Sequence, residues 1–353
     1  MFIWIQVLRG VAAAMVVCHH YVAAQVEHGA EGWPALLQFG GAGADIFFVI
    51  SGFIMMMTQS AQAGPSSARI FLWRRLMRIA PLYWALTALA FGVATLAASE
   101  VNTDYSAMKF TFSMLFMPYN EYPVDMSAEA YHAYVLPIAW TLTYEWLFYL
   151  AFAVALALGL QPAMRLGFIV SCFAACVFVG TVFSPAMPLL QMLSSPLLFE
   201  FLLGCIVAVL YQRRVRLGVW QSVLAALVAM TFLSSIVHES DAGRVLVWGG
   251  ASLALVAAAA LNSRARAAPS LMLRPFARLG DISYSLYLSH FFTLALFVRL
   301  QEKLPALRDG FGIASILAFF LLAWNISALC YRFIEEPSRV FFAQRKNAMG
   351  VAG

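Results

Sequence analysis

The stretch IWIQVLRGVAAAMVVCHHYVAAQV, residues 3–26, decides the class of fold. It is almost wholly apolar, and as an α-helix it is long enough to cross the roughly 30 Å of hydrocarbon in a bilayer. It also carries Arg9 and His20, which are costly in lipid and must therefore face protein or a polar cavity. No basic segment precedes it, which favours a retained first membrane helix over a cleaved signal peptide.

The rest of the chain has the same character. Of its 353 residues, 63% are hydrophobic and only 11% are charged, whereas a soluble protein is about a quarter charged. This composition predicts an all-α polytopic membrane protein with about ten transmembrane helices. The predicted spans are 3–26, 39–60, 79–98, 138–159, 165–184, 190–211, 217–237, 244–262, 280–299 and 311–334.

The distribution of charge predicts the orientation. With a cytoplasmic N-terminus, the cytoplasmic segments hold most of the 22 Lys and Arg residues and the opposite loops hold most of the 17 acidic residues. This asymmetry follows the positive-inside rule and places both termini in the cytoplasm. The net charge of +5 is thus read as a topology signal, with no nucleic-acid partner expected. We predict a transmembrane domain over residues 1–337 and a short cytoplasmic tail over 338–353.

Two smaller features complete the organisation. The longest outer loop, 99–137, contains FTFSMLFMP, which is too short to span and predicts a re-entrant or interfacial helix. All five cysteines fall inside apolar runs, so neither a disulfide framework nor a metal site is expected.

Six ionisable residues lie where lipid would be the solvent. Such residues by default indicate a functional site, although pairing between helices that only holds the bundle together is the alternative. They are Arg9, His20, Asp45, Glu145, Glu200 and His290.

Helix geometry arranges the N-terminal members of this group. Arg9 and His20 are eleven residues apart and share one helix face, whereas His19 points about 100° away and is interpreted as a packing residue. Asp45 and Glu145 enter their spans from the outer ends and reach the depth of His20. Because a carboxylate beside an imidazole orients a catalytic base, this grouping predicts a catalytic centre of His20, Asp45 and Glu145.

The segment RRLMRIAPLYW, from Arg74 to Trp84, adds a basic group at the cytoplasmic side, where a loop is expected. The planar guanidinium of arginine binds phosphate through two hydrogen bonds, which makes Arg75 and Arg78 candidates for an anionic ligand. The positive-inside rule alone explains a basic cytoplasmic segment equally well.

Seven segments together resemble the acyltransferase family 3 integral membrane proteins, most of all the exopolysaccharide-production type, and occur in that family's order. They are LRGVAAAMVVCHH (Leu8 to His20), GADIFFVISGFIM (Gly43 to Met55), RRLMRIAPLYW (Arg74 to Trp84), WTLTYEWLFYL (Trp140 to Leu150), FEFLLGC (Phe199 to Cys205), LGDISYSLYLSH (Leu279 to His290) and FIEEPSR (Phe333 to Arg339).

The resemblance implies ten membrane helices, a cytoplasmic acyl-CoA donor, expected to be acetyl-CoA, and an acceptor hydroxyl on a carbohydrate or lipid-linked saccharide near the opposite face. The family's Arg-x10-His element corresponds to Arg9 and His20, and its Arg-x-x-Arg pair to Arg75 and Arg78.

The family's motif carboxylates correspond to Asp45 and Glu145. On this reading His20 is the general base, and the donor-binding residues are Arg9, Arg75, Arg78 and His290.

Further readings stay open for several of these residues. Arg9 could instead pair with Glu145 or Glu200, and a buried, hydrogen-bonded role for His290 is equally possible. Asp281 is expected to cap the ninth span, and Glu335 and Glu336 to pair with loop arginines.

Two other classes of protein remain as alternatives. A transporter or flippase also carries intramembrane charges, although the sequence shows no repeated halves. A haem protein would need His20 and His290 to face each other as ligands.

Overall fold

The computed structural model describes residues 2–27, 35–59, 63–96, 106–120, 130–234, 240–263, 273–304 and 313–341. Within these ranges the chain is helical and contains no strand, which confirms the all-helical expectation. The helices are α1 (Ile3–Glu27), α2 (Gly43–Thr58), α3 (Pro65–Leu96), α4 (Ala107–Met114), α5 (Ala139–Ala157), α6 (Pro162–Phe183), α7 (Pro188–Leu193), α8 (Leu198–Gln212), α9 (Val219–Ser234), α10 (Asp241–Leu261), α11 (Arg274–Asp281), α12 (Ser283–Lys303) and α13 (Ile313–Cys330).

Each predicted span falls on helix within its described residues, and the sixth falls on two helices, α7 and α8. Among the described residues, eight helical segments are long and apolar enough to cross a membrane, with α7 and α8 counted together as one, and α11 with α12 forms a ninth candidate that is bent by 74°. The seventh predicted span coincides with α9, an apolar helix of 16 residues within the described part of this span. The count of ten spans therefore stays a prediction.

The surfaces of these helices fit a lipid environment. On α6, Phe178 is 69% exposed and Phe183 is 75% exposed, and on α9 the exposed fraction of Trp220 is 84%. Large apolar side chains at such exposure are rare over continuous surfaces of soluble proteins. Together with the apolar length of the helices, they make this chain a multi-pass membrane protein.

Three boundaries differ from the sequence-based expectation. The segment that contains Arg75 and Arg78 is not a loop, because α3 begins at Pro65, where Gly64 with a φ of 96° turns the chain into the helix. The sixth predicted span is interrupted between α7 and α8. Helix α13 continues through a π-helical turn, Tyr331–Glu335, to Phe341, so the predicted tail begins in helix. The remaining residues of the tail lie outside the described ranges.

The helices divide into two compact units, which we describe separately. The first unit consists of Met1–Ile50, Val209–Val237 and Val247–Gly353. Its core is built by α1 against α11, α12 and α13, with Val17, Leu286 and Phe319 fully buried. Polar pairs also link these helices, because Tyr21 Oη lies 2.7 Å from Ser315 Oγ inside this core.

The second unit consists of Ser51–Ala208 and His238–Leu246. Aromatic rings form its core, and Phe148 of α5 stacks on Phe201 of α8 with ring centroids 4.7 Å apart.

The short helix that the sequence predicts in the segment 99–137 is present as α4. Its C-terminal carbonyls are anchored on α3, because Tyr83 Oη donates to Ser113 O at 2.8 Å and Trp84 Nε1 donates to Met114 O at 2.8 Å.

Candidate active site

In the first unit, the N-terminal half of α1 carries a polar network. Arg9 Nη2 donates to Ser283 Oγ at 3.0 Å, and Arg9 Nη1 donates to Gln6 Oε1 at 3.2 Å. Gln6 Nε2 in turn donates to Asp281 Oδ1 at 2.6 Å. The guanidinium is therefore held between its own helix and the start of α12.

Two glycines allow this approach of the helices. A Cβ atom at Gly10 would lie 2.8 Å from Phe276 O and 2.9 Å from Gly280 N, and a Cβ at Gly280 would overlap the backbone of Gln6. Since neither glycine has a Cβ, the backbones of α1 and α11 pack in direct contact. This contact fixes the turn at Ile282 between α11 and α12, and therefore the direction in which α12 extends from that turn.

Eleven residues further along α1, His20 also contacts α12. His20 Nδ1 lies 3.2 Å from His290 Nε2 and 2.9 Å from the carbonyl oxygen of Val16 on its own helix. The ring of Phe291 packs on both imidazoles, with centroids 4.8 Å from His20 and 4.7 Å from His290. His290 is completely buried, whereas His20 is half-buried.

The LGDISYSLYLSH motif forms the N-terminal half of α12, and its serines contact different neighbours. Ser283 accepts from Arg9, Ser285 Oγ donates to the buried Glu335 at 2.6 Å, and Ser289 Oγ lies 3.0 Å from Ser327 Oγ of α13. These contacts fix the rotation of α12 about its own axis. His290 is thereby presented to α1.

The second unit contains a separate group of charged residues. Arg75 of α3 lies over the rings of Phe71 and Tyr149, with its guanidinium carbon 5.7 Å and 5.9 Å from their centroids. Tyr149 Oη donates to Glu145 Oε1, and Ser51 Oγ donates to the same oxygen at 3.3 Å. The Glu145 carboxylate and the Arg75 guanidinium interact electrostatically, so the aromatic rings and the carboxylate together orient this arginine.

Arg78 lies one turn further along α3 and is close enough to Arg75 for the two charges to repel each other. Its side chain is half-buried, and it makes no hydrogen bond or ion pair to any residue in the described part of the chain. Two adjacent guanidiniums of like charge, of which Arg75 interacts with Glu145, form a local excess of positive charge. Such a group is suited to an anion, above all to a phosphate.

The described hydrogen bonds of His20 and of Glu145 join neither residue to another member of the predicted catalytic centre. The described polar partners of His20 are His290 and a backbone carbonyl, and no carboxylate in these ranges donates to or accepts from its ring. Asp45 is completely buried in the first turn of α2, where the helix dipole favours a negative charge. Glu145 contacts Ser51 and Tyr149. The catalytic roles of Asp45 and Glu145 therefore stay predictions.

Several sequence-based assignments change or gain detail. The prediction that Asp281 caps α12 is wrong, because Ile282 occupies the N-cap position without a side-chain hydrogen bond, and Asp281 ends α11. Glu200 is completely buried in the first turn of α8.

Sequence reasoning missed Gln6, Ser283 and Tyr149 as parts of these groups. Helical spacing was the available signal for two of them, because Gln6 precedes Arg9 by three residues and Tyr149 follows Glu145 by four. Ser283 carried no such signal, since it lies far from Arg9 in the chain.

Comparison with known proteins identifies the family of this chain. Residues 2–332 match the model of the acyltransferase domain Acyl_transf_3, which covers every helix that carries the groups described above. The chain is 28% identical over 337 residues to the exopolysaccharide production protein ExoZ of Rhizobium meliloti (strain 1021), covering 92% of this chain and 98% of ExoZ. No solved structure matches.

These matches decide between the classes left open by the sequence. The haem alternative required the two histidines to be opposed as ligands, but His20 Nδ1 and His290 Nε2 are at hydrogen-bonding distance. The transporter alternative has no counterpart in the family match, which describes an acyltransferase domain over nearly the whole chain. The protein is therefore an acyltransferase, and it belongs to acyltransferase family 3.

Proposed function

We propose that this protein is an O-acyltransferase of the bacterial inner membrane. It moves an acetyl group from cytoplasmic acetyl-CoA to a carbohydrate hydroxyl at or near the periplasmic face. The observation that carries this proposal is the held ring of the half-buried His20, which packs on His290 and Phe291 in an acyltransferase domain. No metal takes part in the proposed reaction.

His20 acts as the general base. The ring nitrogen that does not face Val16 and His290 takes the proton of the acceptor hydroxyl while that oxygen attacks the thioester carbonyl carbon. The carbon–sulfur bond then breaks, the coenzyme A thiolate leaves, and the proton passes from His20 to the thiolate. Base catalysis of this kind contributes about 10²–10⁴-fold, and binding both substrates in a fixed geometry supplies much of the rest.

Arg75 and Arg78 bind the phosphates of the donor. A phosphate between them would relieve the mutual repulsion of the two guanidiniums and would form charge-assisted hydrogen bonds with both. Glu145 acts on this group through Tyr149 and keeps Arg75 oriented before the donor arrives. Arg9, held by Ser283 and Gln6, is proposed as a further cation for the donor.

The acceptor is a sugar of an exopolysaccharide or of its lipid-linked precursor. The name of the relative ExoZ, an exopolysaccharide production protein, supports this choice of acceptor class. The partners of the protein would then be acyl-CoA, such a saccharide and membrane lipids.

The test uses the purified protein in lipid nanodiscs with acetyl-CoA and a deacylated exopolysaccharide oligosaccharide. We expect coenzyme A thiol to be released only when both substrates are present, with an equal amount of new acetyl ester on the sugar. A transporter would bind the saccharide and release no thiol. Thiol release without ester formation would reject the carbohydrate acceptor.

The proposed orientation has its own test. Both termini lie in the cytoplasm and the loop 99–137 lies outside in this proposal, which rests on the distribution of arginine and lysine. A cysteine at position 102 of a cysteine-free variant should react with an impermeant reagent in intact spheroplasts, and a cytoplasmic reporter fused after residue 353 should be active. Labelling only after membrane disruption would reverse the orientation.

A further inference from the structure

The hydrogen bonds around His20 and His290 determine which ring nitrogens carry protons. A backbone carbonyl oxygen only accepts, so the nitrogen that faces it must donate. His290 Nδ1 lies 3.3 Å from Leu286 O and His20 Nδ1 lies 2.9 Å from Val16 O. Both Nδ1 atoms are therefore protonated, and in a neutral ring the remaining nitrogen, Nε2, is then bare.

The contact between the two rings agrees with this assignment. His20 Nδ1–H donates to the bare His290 Nε2 at 3.2 Å and shares its proton with Val16 O. If either ring were the other neutral tautomer, one of the carbonyls would face a bare nitrogen and lose its hydrogen bond. Only one pair of neutral tautomers makes all three contacts favourable, and it leaves His20 Nε2 without a proton.

We propose that His290 is the positioning residue of the reaction. It holds His20 in the tautomer whose bare Nε2 takes the acceptor proton, and it stabilises the imidazolium that forms, because a charged ring donates more strongly from Nδ1. This inference rests on the proposed role of His20 as general base. The sequence analysis assigned His290 to the donor, whereas this proposal assigns its imidazole to His20.

The environment explains why a neutral ring serves here. The charged and titratable groups that face His20 are His19 on its own helix and His290 on α12, with no acidic side chain among the described residues in contact. A carboxylate buried at this depth would carry a large desolvation cost before it stabilised any positive charge. An imidazole acceptor avoids this cost because it is neutral throughout.

The experiment measures steady-state transfer with His290→Gln, His290→Leu and His290→Asn in nanodiscs. The amide oxygen of glutamine reaches about as far as Nε2 and accepts from His20, whereas leucine cannot accept and asparagine is too short. We expect His290→Leu and His290→Asn to lower kcat about ten- to a hundredfold, as for loss of a hydrogen bond to a charged group, with KM for acetyl-CoA unchanged. His290→Gln should restore most of kcat.

Gln301→Leu is the matched control, because it removes a different buried hydrogen bond between α1 and α12, the one that Gln25 Nε2 donates to Gln301 Oε1 at 3.1 Å, and leaves the imidazole pair intact. It should keep wild-type kcat. If His290→Leu fails to accumulate in membranes, the proposal is tested by comparing the kcat of His290→Gln with that of His290→Asn.

Three results would overturn the proposal. They are an unchanged kcat in His290→Leu, a raised KM for acetyl-CoA without loss of kcat, which would place His290 on the donor, and a glutamine variant as slow as the asparagine one. His20→Ala is measured in parallel. If that variant stays active, the general-base role itself fails, which distinguishes the two failures.

Discussion

The two groups of functional residues are built from opposite chemistry. In the first unit, His20 and His290 are held by hydrogen bonds to neutral partners and by aromatic packing. In the second unit, Arg75 and Arg78 lie close enough for their charges to repel each other, and Arg75 also interacts with Glu145. The difference matches the division of labour that we propose, in which the first group moves a proton and the second group binds an anion.

The largest effect should come from breaking the neutral group. His20→Ala should lower transfer by about 10²–10⁴-fold and leave acetyl-CoA affinity largely unchanged, because a general base acts on the barrier and not on donor binding. Transfer at matched protein levels and calorimetry with acetyl-CoA measure the two quantities. His19→Ala is the control and should keep substantial activity. If His19→Ala is the inactive variant, the assignment of the base along α1 is wrong.

The charged group should respond in the opposite way. Arg75→Ala and Arg78→Ala should each weaken acetyl-CoA binding about ten- to a hundredfold, since each charge-assisted hydrogen bond is worth roughly 1.5–3 kcal/mol. Arg74→Ala removes a cation from the same turn and tests net charge alone, so it should change affinity little. Equal affinity for acetyl-CoA in all three variants would mean that these arginines serve only to orient the protein in the membrane.

The two units can also be disturbed through their helix contacts. Gly10→Ala in the first unit places a Cβ against the backbone of α11, and Gly52→Ala in the second places one in overlap with Phe201 O. Each should cost about 1–3 kcal/mol of stability through overpacking. Thermal unfolding in detergent measures the loss. Gly92→Ala is the control, because a Cβ at this position has open space around it, and the variant should keep the stability of the wild type. An equal loss of stability in Gly92→Ala would indicate a general effect of alanine.

The smallest effect tests how Glu145 acts on the charged group. Tyr149→Phe removes the hydroxyl that donates to Glu145, and loss of one hydrogen bond of about 0.5–1.5 kcal/mol should weaken acetyl-CoA binding severalfold. Tyr144→Phe on the same helix is the control, because its hydroxyl interacts with Ser195 and not with Glu145. A loss in kcat without a change in affinity would return Glu145 to a catalytic role.

Local periodicity and composition were enough to locate the helices. The predicted spans fall on helices, with the sixth interrupted between α7 and α8, because a run of about 20 apolar residues has no other low-energy structure in lipid than a helix. The spacing of Arg9 and His20 likewise placed both on one helix face, and both contact α12. The same reasoning failed for the basic segment before Trp84, because charge predicted a loop where α3 is continuous.

What the sequence alone determined is the membrane class, the helices and a short list of candidate residues for acyl transfer. Those follow from the residues' own free energies in lipid, which act locally along the chain. Only the tertiary structure decided which partner each candidate meets. It placed His290, 270 residues from His20, in hydrogen-bonding distance where the sequence predicted a carboxylate. The physical reason is that close packing of α1 on α11 fixes the direction of α12, and such contacts between distant segments leave no periodic signal in the chain.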